Sequence, residues 1–166
     1  MSNSDGNIMK QIPLYYTGLT TKSGKGQLFT EIVLALFKLT GMLNIEGDNL
    51  TSEFGISAAR WKILGFSALP DTALTVSQIA KHSGQSRQSV QVLANEMEKA
   101  GLIEFQANPY HKKSKIVAAT LKGIGILRSI REKRIPWTKE KAAPIKKKEL
   151  KMTLDVINRI INEMDK

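Results

Sequence analysis

There is no cysteine among the 166 residues. Disulfide staples, thiolate metal sites and thiol redox switches are therefore excluded. Histidine occurs only twice, at His82 and His111, on different expected elements. No H-E-x-x-H or G-x-S-x-G sequence is present, and the Asp and Glu residues are scattered over polar helix faces. Catalysis needs a nucleophile with a base, paired carboxylates or a metal cluster. None is in sight, so no catalytic residue, metal or cofactor is expected, and the chain does not read as an enzyme. There is also no uninterrupted run of eighteen apolar residues, so no membrane span is expected. Met1–Lys10 lacks the apolar stretch of a secretory signal, which makes the cytoplasm the expected compartment. Acidic residues are scarce in one long stretch. Lys99–Lys148 holds 14 Lys and Arg against 3 Glu, whereas the rest of the chain holds 11 basic and 12 acidic side chains. The whole net charge of +10 thus comes from that stretch. A concentrated positive field draws in a polyanion, most commonly DNA; a basic surface kept for solubility is the other reading.

What is present reads as one mainly α-helical domain with extended arms. Residues 1–24 are rich in Ser, Asn, Gly and Thr, without helical period, around an apolar patch at Leu14-Tyr15-Tyr16. They read as a flexible arm. Ser23-Gly24-Lys25-Gly26 lacks the phosphate-loop spacing and reads as a joint. Leu28, Ile32, Leu36, Leu39 and Leu43 then recur at four and three residues, one apolar helical stripe. A second helix is expected over about Ser57–Ala68, with Trp61, Leu64 and Leu69 inward and Pro70-Asp71 closing it. At the far end Leu150, Leu154, Ile157, Ile161 and Met164 form an a/d seam on an otherwise charged helix. Pro136 and Pro144 bracket a basic connector before it, Lys139–Lys148.

The centre of the chain carries the functional pattern. Thr75-Val76-Ser77-Gln78 is a capping box, opening a short helix that stops at Gly84. Ser86 caps the next helix, whose inward face is Val90, Leu93, Ala94 and Met97. Leu102–Phe105 and Ser114–Ala119 read as two strands around a turn-rich basic tip, and Thr120 caps a further helix. Two short helices with a Gly turn between them, followed by a hairpin, make a winged helix-turn-helix. In such a unit Ser86, Arg87, Gln88, Ser89, Gln91 and Asn95 front the second helix, and Thr75, at the start of the first, joins them as a DNA-contacting residue. Arg can fork onto guanine edges, and Gln or Asn onto adenine, in the major groove. Lys112, Lys113 and Lys115 at the wing tip would meet the backbone or the adjacent minor groove.

At these residues the chain resembles the MarR family of bacterial transcription regulators. The resemblance is carried by Arg60-Trp61-Lys62-Ile63-Leu64, Leu74-Thr75-Val76-Ser77-Gln78-Ile79-Ala80, Gln85-Ser86-Arg87-Gln88-Ser89-Val90, Leu93 to Ile103, and Ala119-Thr120-Leu121-Lys122-Gly123. It covers about residues 56–125. It implies a winged helix-turn-helix lobe at 56–120 and dimerisation helices at 25–55 and 121–166. Leu28, Ile32, Leu36, Leu39, Leu150, Leu154, Ile157, Ile161 and Met164 would line the dimer, although both seams could instead pack within one chain. The implied function is a homodimeric repressor on a pseudopalindromic double-stranded operator. The resemblance also implies a small aromatic or anionic effector, for which Phe54, Arg60, Trp61 and Phe66 could line a pocket or equally be core. One departure stands out. The family's wing carries an Asp-x-Arg pair where this chain has His111-Lys112-Lys113, and lysine cannot fork onto two acceptors. A winged-helix module that binds protein or RNA, without operator specificity, is the alternative.

Overall fold

The computed structural model describes residues 24–69, 74–109, 111 and 113–166. The arm up to residue 23, with its Leu14-Tyr15-Tyr16 patch, the stop at Pro70-Asp71, and Lys112 lie outside the described residues. The chain divides into two compact units, one ending at Asn49 and one running Leu50–Lys166.

The first unit is the body of a long helix, α1 (Gly24–Thr51). Gly24, Lys25 and Gly26 belong to its first turn rather than to a joint, because the apolar run downstream propagates the helix back over them. The helix is apolar on all sides. Leu28, Ile32 and Leu39 lie on one face, while Phe37 (72% exposed) and Ile45 point elsewhere. The helical stretch Gly24–Phe54 is long and apolar enough, by length and composition, to cross a membrane. A search for uninterrupted apolar runs misses this, because Glu31 and Lys38 break the stretch.

The second unit contains the core. After a 3-10 turn (Ser52–Phe54), α2 spans Ala58–Ser67, its end capped by the Ser57 side chain accepting from the Arg60 amide. Ile63 and Leu64 of α2 are fully buried, Trp61 only partly. Leu69 is 44% exposed rather than inward. The helix ends at Ser67, and the non-helical Ala68 turns the next residue off the inward face.

The helix-turn-helix follows as the spacing predicts. Strand β1 (Leu74–Thr75) leads into α3 (Val76–Ser83), where both halves of the Thr75–Gln78 capping box form. Gly84 adopts φ 67°, the left-handed conformation that favours glycine, and its amide closes on Ala80 O. Helix α4 (Arg87–Lys99) starts at Ser86. Val90, Ala94 and Met97 are buried in the core with Ile79 of α3.

The wing is a three-stranded sheet, not a two-stranded hairpin. Strand β2 (Ile103–Gln106) pairs antiparallel with β3 (Ile116–Ala119), and β3 also pairs with β1, in the order β1-β3-β2. Leu74 opposite Val117 thereby ties the start of α3 to the wing. Two residues, the second of them the cap itself, carry no period, so β1 leaves no trace in the sequence pattern.

Helix α5 (Leu121–Ala142) begins at the Thr120 cap and runs through Pro136, which was expected to bound a connector. Proline removes one ladder bond and crowds the preceding turn. Pro136 is exposed, and the Thr138 hydroxyl donates to Ile135 O at 2.9 Å beside it. The expected connector therefore shrinks to a turn at Ala143–Lys146, before α6 (Lys147–Met164).

Candidate nucleic-acid interface

Helix α4 presents two outward flanks opposite its buried face. Residues three and four apart share a side of a helix, so Arg87, Gln91, Asn95 and Glu98 turn toward the wing. Gln88, Val92 and Asn95 form the crest. All are exposed. The Gln91 amide donates to Asn95 Oδ1 at 2.8 Å, which orders these two exposed side chains against each other. At the helix start, Ser86 Oγ accepts from the Ser89 amide at 3.1 Å and lies 2.8 Å from Ser89 Oγ. These two hydroxyls thus fix the N-terminus whose free amides suit a phosphate oxygen.

Between α4 and the wing lies a cleft of about 390 Å³. Thr75, Arg87, Gln91, Asn95, Lys113 and Lys115, all singled out from sequence, converge on it. Gln88 lines a neighbouring hollow, and Ser86 and Ser89 stay at the helix end. Lysines on the wing thus face amide side chains on the helix, a charged wall opposite a neutral polar one.

Five further cleft residues, the buried Val76 among them, were not anticipated. Ser77 and Ser114 add hydroxyls, Phe105 an aromatic surface and Glu98 a negative charge. Phe105 is a strand residue whose ring sits 6.0 Å from Lys115 Nζ, a distance at which the cation is drawn to the ring face. Only the pairing of β2 with β3 brings it to the cleft. Glu98 could have been found, since it stands seven residues after Gln91 on the same helical stripe.

The wing tip is closed from within. His111 N donates to Asn108 O at 3.3 Å, Ser114 N to His111 O at 3.2 Å, and Asn108 Nδ2 to Ser114 Oγ at 3.4 Å. Asn108 and Ser114 together shape the loop that presents Lys113. Ten of the fourteen basic residues in Lys99–Lys148 fall at 122–148, on α5 and the start of α6, not on the wing. A run of charge in sequence is thus divided in space.

The four side chains considered for an effector pocket are engaged in packing. Phe54, Trp61 and Phe66 rest against the core, and Phe66 stacks on His82 with ring centroids 6.1 Å apart. Arg60 forms an ion pair with Glu96 of α4, and Lys133 lies over Phe54 while pairing with Glu53. Of the seam residues, Leu28, Ile32, Leu39, Leu150, Leu154, Ile161 and Met164 are exposed, and Leu36 and Ile157 are half-buried.

Comparison with known proteins agrees with this geometry. The MarR family model matches residues 54–114, the span from the 3-10 turn to the wing tip. A relative from Mycobacterium tuberculosis strain H37Rv is 35% identical over 130 residues, covering 78% of this chain and 90% of its own. Among solved structures, the transcriptional regulator BldR from Sulfolobus solfataricus superposes with a TM-score of 0.75 at 16% identity, over 85% of this chain and 99% of its own. The S. aureus MepR–DNA complex superposes with a TM-score of 0.68 at 18% identity, over 78% and 94%. With the family model matched over the helix-turn-helix and the start of the wing, and the fold shared with solved members, this chain belongs to the MarR family of transcription regulators.

Proposed function

We propose that the protein is a sequence-specific repressor in the cytoplasm, binding a pseudopalindromic operator in double-stranded DNA as a homodimer. The observation that carries this reading is the convergence of Arg87, Gln91 and Asn95 on α4 with Lys113 and Lys115 of the wing around one open cleft. Helix α4 enters the major groove, and the wing follows the backbone beside it. The wing grips by charge, since Lys113 and Lys115 are point cations without the fork of arginine. An effector entering at Phe54, Arg60, Trp61 and Phe66 would have to displace contacts that the lobe already makes, and the reading needs none there.

Selection of duplexes from a random pool, followed by fluorescence anisotropy at two salt concentrations, tests it. A two-fold-symmetric site bound far more tightly than competitor is expected. Binding that is uniform across sequences, or absent at physiological salt, would mean that the lobe serves a protein or RNA partner instead. Placing the recovered site in a promoter–reporter fusion then checks repression; higher output with the protein present would make it an activator.

Two substitutions separate the roles of helix and wing. Arg87→Ala is expected to cost on the order of 1–3 kcal/mol on the selected site and little on random duplex. Lys113→Ala is expected to weaken binding to every duplex alike and to flatten the log–log salt slope by about one unit. Anisotropy titrations on both duplexes decide this, and equal losses for the two variants on both would contradict the division.

A further inference from the structure

Val92 is an aliphatic side chain on the crest of a helix whose other outward residues are polar. It is 51% exposed and lines a shallow hollow of about 440 Å³ with Arg87, Gln88 and Gln91. The inward face of α4 is complete without it, because Val90, Ala94 and Met97 are buried. Val92 stands four residues after Gln88 and three before Asn95, so it projects between two amides able to pair with adenine edges. Valine also costs helix stability relative to most alternatives at an exposed site. Local propensity therefore does not account for it.

The major groove has one apolar feature at base edges, the C5-methyl of thymine. We propose that Val92 is a specificity-determining residue that packs on a thymine methyl in each half-site, next to the base pairs read by Gln88 and Gln91. This rests on the operator-binding reading above and deepens it. The occupant is defined by continuity: Val92 shares its hollow with Arg87, Gln88 and Gln91, so duplex DNA seated on those groups covers it. A methyl is what shape and polarity select there, since an aliphatic side chain offers cytosine N4 or adenine N6 no acceptor. Glutamine on one side and valine on the other together suit an A·T-rich step, the amide taking adenine and the methyl contact taking thymine.

The test uses the full-length protein and the selected operator. Each thymine is replaced in turn, in both half-sites at once, by deoxyuridine, which lacks only the methyl. Affinities are measured for wild type and for Val92→Ala, a change that removes surface methyls without touching the core. One symmetric position is expected at which deoxyuridine weakens wild type by about fourfold per half-site, the worth of one buried methyl. The same replacement should leave Val92→Ala unaffected. At that position 5-methylcytosine should be accepted by wild type better than cytosine. A preferred operator with no thymine coupled to Val92 overturns this inference alone. A pool that yields no preferred site overturns it together with the operator reading.

Discussion

A protein carrying Leu154→Asp and Ile161→Asp is expected to sediment as a monomer and to bind the selected operator at least about a hundredfold more weakly, while keeping its helix content. The two residues are 60% and 51% exposed in the single chain. Neither residue belongs to the buried core, so the winged lobe should fold as before. They belong to a stripe at Leu150, Leu154, Ile157, Ile161 and Met164 on a helix whose other faces carry Lys, Arg, Asp and Glu together with exposed Met152 and Val156. Soluble monomers rarely expose contiguous apolar surface of this kind. A helix that is apolar all round is normally buried, and α1 is such a helix, with Phe37 and Ile45 as exposed as Leu28. A lipid bilayer is the other possible cover for α1. Glu31 and Lys38 argue against it, since a charged side chain at the middle of a membrane helix costs about 2.5–3.5 kcal/mol. A second copy would cover apolar surface without carrying those charges into lipid. Dimerisation then couples two half-site contacts, and avidity of this kind multiplies affinity by about 10²–10⁴. Sedimentation equilibrium and anisotropy on one preparation decide it. An unchanged dimer, or a monomer that binds as tightly as wild type, would refute the seam on α6.

The pieces of the fold that announce themselves in sequence are those enforced by neighbours a few residues apart. Thr75 with Gln78, Gly84, Ser86 and Thr120 each satisfy helix-end groups within one turn, so identity and spacing are enough to place α3, α4 and the start of α5. The polar front of α4 is legible for the same reason: its buried stripe leaves only the other faces for Arg87, Gln91 and Asn95. What is not legible depends on distant partners. Strand β1 exists because Leu74 meets Val117 across more than forty residues of chain, and Phe105 reaches the cleft only through that sheet. Leu69 matches the apolar spacing of α2, but the helix ends before reaching it. Pro136 reads as a stop by local rule, whereas the exposed face of α5 tolerates it. Val92 lies outside the inward stripe of Val90, Leu93, Ala94 and Met97 that the sequence marks, and no spacing rule assigns a role to a lone apolar residue off that stripe. Its exposure is a fact of angle, visible only once the inward stripe is fixed.

Replacing Gly123 with alanine is expected to lower stability by about 3 kcal/mol or more, at the top of the range for overpacked sites. Alanine for glycine inside a helix ordinarily stabilises it by about 0.5–1 kcal/mol. Here a Cβ would stand 2.2 Å from Leu102 O and 2.9 Å from Leu64 Cδ1. The leucine methyl can rotate away, but the carbonyl is fixed on every side. Leu102 O accepts from Thr120 N at 3.1 Å, and the Thr120 hydroxyl donates to Gly101 O at 2.7 Å. The Lys122 ammonium donates to Ala100 O at 2.8 Å, and Gly123 N donates back to Thr120 Oγ1 at 3.2 Å. The first turn of α5 is thus bolted to the turn between α4 and β2. Moving it aside breaks these bonds and drags β2, and with it the wing, away from α4. Gly125→Ala is the control, two residues along the same helix, where an added methyl meets nothing within 4 Å. It should be neutral or slightly stabilising. Urea unfolding at one fixed protein concentration compares the two without the mass-action effect of dimerisation. Equal midpoints for both variants would mean that the joint has room to relax. A separation of the expected size would establish that the recognition helix and the wing are held in register by backbone contact at a residue with no side chain.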